Sequence, residues 1–102
     1  MEEVKIVGVT DGKLQVALSG DIDLGNADNF FDTVMFAYAE TPCDIEFDCT
    51  ALNFIDSTTL GTFVKIVKTV KADGRGMRLV GLQAKIKKLF LICSLDRIME
   101  IA

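Results

Sequence analysis

Asn53-Phe54-Ile55-Asp56-Ser57-Thr58-Thr59-Leu60-Gly61 follows an extended apolar segment and opens an amphipathic helical pattern, with a cluster of hydroxyls in the first turn. The first amides of a helix have no intrahelical acceptor and carry the positive end of the macrodipole, so they attract anionic groups. Two readings of this helix start stand together. Asp56 is a cap that satisfies those amides, and Ser57 is a hydroxyl at the first helical position, where a phosphate would be well held.

Toward the C-terminus the pattern predicts a helix from Ser57 to about Ala72. Leu60, Phe63, Val64 and Val67 recur at i, i+3, i+4 and i+7, and Ile66 and Val70 widen the stripe. Gly74 and Gly76 stop the helix. Lys65, Lys68 and Lys71 form a solvated face in its later turns, where the dipole favours cations. Met77 to Leu82 reads as a core strand, and Ala84 to Cys93 as a helix with Ile86, Leu89, Phe90 and Cys93 inward and Lys85, Lys87 and Lys88 outward. Ile98 to Ile101 has the pattern of a short edge strand.

Toward the N-terminus, Asp44 to Asp48 is a short strand, with Thr50 to Ile55 connecting it to the focal helix. A preceding helix, Ala27 to about Ala39, is capped by Asn26, carries Asp28 in its first turn and ends at Thr41-Pro42. Its inward stripe is Ala27, Phe30, Val34, Ala37 and Tyr38, and Phe36, far from that stripe, is either covered by a neighbouring element or exposed for a partner, with partial burial the expectation. Val4 to Val9 and Leu14 to Leu18 are strands of a hairpin turning at Asp11-Gly12, a pair suited to positive backbone angles. Gly20-Asp21-Ile22-Asp23-Leu24-Gly25 then breaks the pattern.

The resulting order, β-β-α-β-α-β-α-β, predicts one α/β domain over residues 1–102, with a mixed sheet of four to five strands and helices packed against it. Parallel strands joined by right-handed crossovers send the loops after Leu18, Asp48 and Leu82 to one end of the sheet. Asp21 and Asp23 should therefore share a rim with Asp56, Ser57 and Thr58. Plain turn and cap chemistry is the competing account of Asp21 and Asp23.

Half of the 102 residues are hydrophobic and a quarter charged, a globular composition expected to form a single compact unit. A net charge of −4 argues against a general nucleic-acid binder, which needs a basic face. Without a long apolar run or a basic-then-apolar leader, the expected location is cytoplasmic. Cys43, Cys49 and Cys93 are expected to be buried reduced thiols. Histidine is absent, so His-dependent catalysis and His metal sites are excluded, and no nucleotide loop or metal-ligand spacing accompanies the scattered Asp residues. The expectation is a non-enzyme without cofactor or metal.

Ser19-Gly20-Asp21-Ile22-Asp23 with Asn26-Ala27, then Asp56-Ser57-Thr58 at a helix start, then Leu89-Phe90 with Leu95-Asp96-Arg97-Ile98, resembles the STAS family of bacterial anti-sigma factor antagonists. The resemblance covers nearly the whole chain. It implies a cytoplasmic partner switch in signal transduction and transcription regulation. The unmodified domain binds an anti-sigma factor that is also an ATP-dependent serine kinase, and so frees a sigma factor. Phosphorylation of Ser57 reverses binding, and a metal-dependent serine phosphatase restores it. Ser57 is then the phosphoacceptor, with Thr58 secondary, and the partner-binding residues are Asp21, Asp23, Asn26, Asp56, Ser57, Thr58 and Thr59.

The family usually has Gly where this chain has Thr59, which leaves three consecutive hydroxyls as candidate acceptors and stiffens the first turn. A monomer is expected. Two alternatives remain, a STAS scaffold subunit of a stress-signalling or lipid-transport complex, and a phospho-Asp receiver. The receiver fits poorly, because its magnesium-binding acidic pair should follow a first strand rather than the second strand of a hairpin.

Overall fold

A computed structural model describes residues 2–102. Strands β1 (Val4–Thr10) and β2 (Lys13–Ile22) form the hairpin, followed by helix α1 (Ala27–Glu40), β3 (Asp44–Ile55), helix α2 (Ser57–Ala72) and β4 (Met77–Val80). Helix α3 (Ala84–Ile92), a 3-10 turn at Leu95–Arg97 and β5 (Glu100–Ile101) close the described chain. The five strands lie in the order β1-β2-β3-β4-β5. The β1–β2 pair is antiparallel and every later pair is parallel.

That order advances one strand at a time across the sheet, so right-handed crossovers place all three helices on one face. The core confirms the arrangement. Phe30 of α1, Phe47 of β3 and Phe63 of α2 meet edge to face, with centroids 5.1 to 5.9 Å apart, and Phe63 also meets Phe90 of α3 at 5.3 Å. All four rings are fully buried. The opposite face of the sheet is polar. A ladder of ion pairs runs across it from Lys13 to Glu46 at 3.7 Å, from Glu46 to Arg78 at 3.3 Å and from Arg78 to Glu100 at 2.5 Å.

The hairpin turn is as the sequence predicts, with Asp11 and Gly12 at φ 55° and 75°, the paired positive angles of a type I′ turn. Other boundaries differ for physical reasons. Ser19 to Ile22 remain in β2, and Thr50 to Ile55, expected as a connection, continue β3. Beyond Asp48 the register slips twice, so that Ser19 pairs with Ala51 and Asp21 with Phe54. Each slip adds a residue to β3, and the buried side chains become Cys49, Leu52 and Ile55. Bulges erase the period of two by which a strand is read.

Strand β4 stops at Val80 rather than Leu82, because Gly81 turns at φ +77°. A Cβ at Gly81 would lie 2.5 Å from the Thr50 hydroxyl oxygen. Cys93 is exposed, against the expectation of a buried thiol, whereas Cys43 and Cys49 are buried. Helix α3 ends at Ile92 and Ser94 adopts φ 57°, so the helical wheel does not extend to Cys93. Leu89, at the margin of that wheel, is 39% exposed. Phe36, expected to be partly covered, is 73% exposed, because it lies opposite the buried stripe of α1 and no other element among the described residues covers it. The stripe of α2 is also shifted toward its hydroxyls. Thr59 and Thr62 are buried, while Leu60 and Val64 are only half-buried. No described helix is long and apolar enough to cross a membrane.

Candidate functional site

The C-terminal ends of the parallel strands β2 and β3 lead into two junctions that face each other, Asp21–Asn26 and Ile55–Thr59. Asp56 joins them. One carboxylate oxygen accepts from the Thr59 amide and lies 2.9 Å from the Thr59 hydroxyl. The other accepts from the Leu24 amide at 2.9 Å. The cap of α2 is therefore also the clip that fixes the β2–α1 loop. These hydrogen bonds, first the one from the Thr59 amide, hold the Asp56 carboxyl below its ordinary pKa, so it is ionised at neutral pH.

Thr59 completes the junction. Its hydroxyl lies 2.6 Å from the Ile22 carbonyl oxygen, at the end of β2, and its single proton is shared between that oxygen and Asp56. The side chain is completely buried. This corrects the expectation that Thr59 belongs to an exposed hydroxyl cluster open to a kinase or partner. Ser57 and Thr58 are exposed, so the accessible hydroxyls number two rather than three.

Asn26 stands at the start of α1 as expected, but its side chain does not cap the helix. Its amide oxygen accepts from the Asp23 amide at 2.8 Å, and its amide nitrogen donates to the Asp21 carbonyl at 3.0 Å. Asp23 turns back on the Gly25 amide at 2.9 Å, and the Asp23 carbonyl accepts from the amides of Asn26 and Ala27. Both half-buried side chains thus shape the loop, and the exposed Asp21 carboxylate supplies charge at its edge. The turn chemistry and the shared rim occur together.

Two apolar side chains escaped notice in the sequence. Leu24 is 75% exposed directly beside Asp56, and Phe54 is 48% exposed at the end of β3. Phe54 pairs with Asp21 across the β2–β3 ladder, which sets both on the rim. Neither belongs to a periodic face, so no pattern singled them out, although a Leu between Asp23 and Gly25 in a turn is itself unusual. The rim combines an exposed hydroxyl at a helix N-terminus, carboxylates and two apolar side chains. Such a surface suits docking of another protein better than enclosure of a small molecule.

The comparisons with known proteins agree with this architecture. The anti-sigma-B factor antagonist of Bacillus subtilis is 30% identical over 92 residues, an alignment that covers 90% of this chain and 84% of that protein. The fold matches an anti-sigma factor antagonist from Mycobacterium paratuberculosis with a TM-score of 0.78 at 21% identity, over 96% of this chain and 82% of that one. It also matches the phosphorylated form of the Bacillus cell fate determinant SpoIIAA with a TM-score of 0.76 at 19% identity, over 97% of this chain and 90% of that one. The STAS domain model matches residues 5–102, and the chain belongs to the STAS domain family.

Proposed function

We propose that this chain is an anti-sigma factor antagonist whose unmodified rim binds an anti-sigma factor with serine kinase activity, in the cytoplasm, and thereby releases a sigma factor. Phosphorylation of Ser57 ends the binding, and a serine phosphatase restores it. The chain contributes no catalysis of its own and acts as one unit over residues 1–102. The reading rests on the clip formed by Asp56, which leaves Ser57 exposed at the N-terminus of α2 while holding Leu24 beside it. The name of the Bacillus subtilis relative supports it.

The chemistry follows from charge. A phosphate on Ser57 adds roughly −1.5 to −2 charges at neutral pH. It would stand beside the ionised Asp56 and near Asp21, at a surface that a partner must desolvate. The helix dipole and first-turn amides offset part of that charge within the domain, so the penalty falls on the complex rather than on the fold. Asp21, Asp23, Asn26, Asp56, Ser57 and Thr58 form or shape the docking surface, Leu24 and Phe54 add apolar contact, and Thr59 holds the junction from inside.

Incubation with ATP and the kinase-type partner, followed by peptide mapping, tests the assignment. The expected product carries phosphate on Ser57, and Ser57→Ala abolishes labelling while still binding the partner. Labelling that persists at full level in Ser57→Ala would refute Ser57 as the acceptor.

A further inference from the structure

The outer face of α1 and the outer face of α3, both on the helix side of the sheet, are complementary. On α1, Phe36 stands 73% exposed between Asp32 and Glu40, one helical turn away on either side. Together with Ile6 of β1 these residues line a groove of about 510 Å³ between α1 and the edge strand β1. On α3, Lys85, Lys88 and Ile92 form the solvent stripe, at i, i+3 and i+7, with Leu89 at its margin. Ile92 is 67% exposed. One face is acidic around an aromatic ring, and the other is basic beside an aliphatic side chain.

We propose that the chain self-associates, with α3 of one copy seated on the α1–β1 groove of another. The ring of Phe36 then covers Ile92 and Leu89, while Asp32 and Glu40 meet Lys85 and Lys88. Charge complementarity selects this occupant. Two acidic grooves repel each other, and so do two basic helices, so each contact pairs a groove with an α3. Used reciprocally, this pairing closes a two-fold dimer, and used one way it propagates until it closes into a ring or is capped.

The acidic half of α1 and the Ile92 end of α3 point away from the Asp21–Ser57 rim, since α1 follows β2 and α3 follows the parallel strand β4, whose C-terminal ends lie on the rim side of the sheet. The rim stays open in the assembly, and the contact stands independently of the function proposed above. It departs from the monomer expected from sequence.

Sedimentation of the whole chain from micromolar to millimolar concentration tests the contact. Association should rise with concentration and weaken with salt. Asp32→Lys with Glu40→Lys, and separately Lys85→Glu with Lys88→Glu, should each weaken it about tenfold or more. An equimolar mixture of the two double variants should associate again, since each supplies the charge the other has reversed. All four positions are surface charges, and circular dichroism checks that the variants fold. Asp32→Asn with Glu40→Gln replaces a reversal that does not fold, and should also weaken association. A wild type that stays monomeric throughout, an association untouched by either pair, a mixture that fails to recover, or a closed dimer that ignores the α3 variants would overturn the proposal.

Discussion

Thr59 carries one hydroxyl proton toward two oxygens, the Ile22 carbonyl at 2.6 Å and Asp56 at 2.9 Å, in a site without solvent. A buried donor or acceptor left without a partner costs roughly 1–3 kcal/mol. Thr59→Val keeps the shape but removes the donor to the Ile22 carbonyl and to Asp56. The expected result is a loss of about 1–3 kcal/mol in denaturant titrations, with Thr59→Ser recovering most of it and Ser57 still phosphorylatable in both. An unchanged stability in Thr59→Val would mean that the hydroxyl holds nothing. At this scale the sequence was only partly legible. The cap at Asp56 and the exposure of Ser57 follow from residue type and position, whereas burial of Thr59 depends on where β2 ends, which local sequence does not encode.

At the scale of elements, the ends of α1 and α2 are tied by Tyr38, whose hydroxyl donates to Asp73 at 2.6 Å. Burial first, and then the hydrogen bond and charge of Asp73, raise the Tyr38 pKa from 10.0 to about 12. Tyr38 is the sole tyrosine and tryptophan is absent, so its ionisation can be read directly by ultraviolet absorbance. Tyr38 in the folded protein should titrate well above an unfolded control, and Asp73→Asn should move it part of the way back. Because the folded value is raised, the associated stability is complete below the unfolded value of 10.0 and is lost as pH rises toward about 12. A Tyr38 that titrates at its unfolded value would contradict the link.

The helices themselves were legible in their periodicity, and the inward side chains Phe30, Val34, Phe63 and Phe90 follow from it. The second half of β3 was not, because its two bulges replace alternation with burial at every third residue. The exposure of Phe36 could be read as an angle on a wheel but not as a fact, since the wheel does not say whether another element covers it. The same gap hid Leu24 and Phe54, whose positions on the rim come from pairing between β2 and β3 rather than from any local pattern.

For the whole molecule, Phe63 is the ring on which all three helices converge, since it touches Phe30, Phe47 and Phe90. Phe63→Ala should destabilise the domain by about 3–5 kcal/mol, a large part of the roughly 5–15 kcal/mol that holds an ordinary domain together. Thermal unfolding checks this, and a shift of only a degree or two would mean that the cluster is not the common anchor. The topology that makes Phe63 central also makes the rim: parallel strands carry Asp21 and Asp56 to one end, and one carboxylate joins their loops. The central claim is that this joined rim is a binding surface gated by charge at Ser57. The most direct test is a calorimetric titration of the kinase-type anti-sigma factor with unmodified chain and with chain fully phosphorylated on Ser57. The account predicts that phosphorylation weakens binding about ten- to a thousandfold while the fold is retained, and equal affinity of the two forms would contradict it.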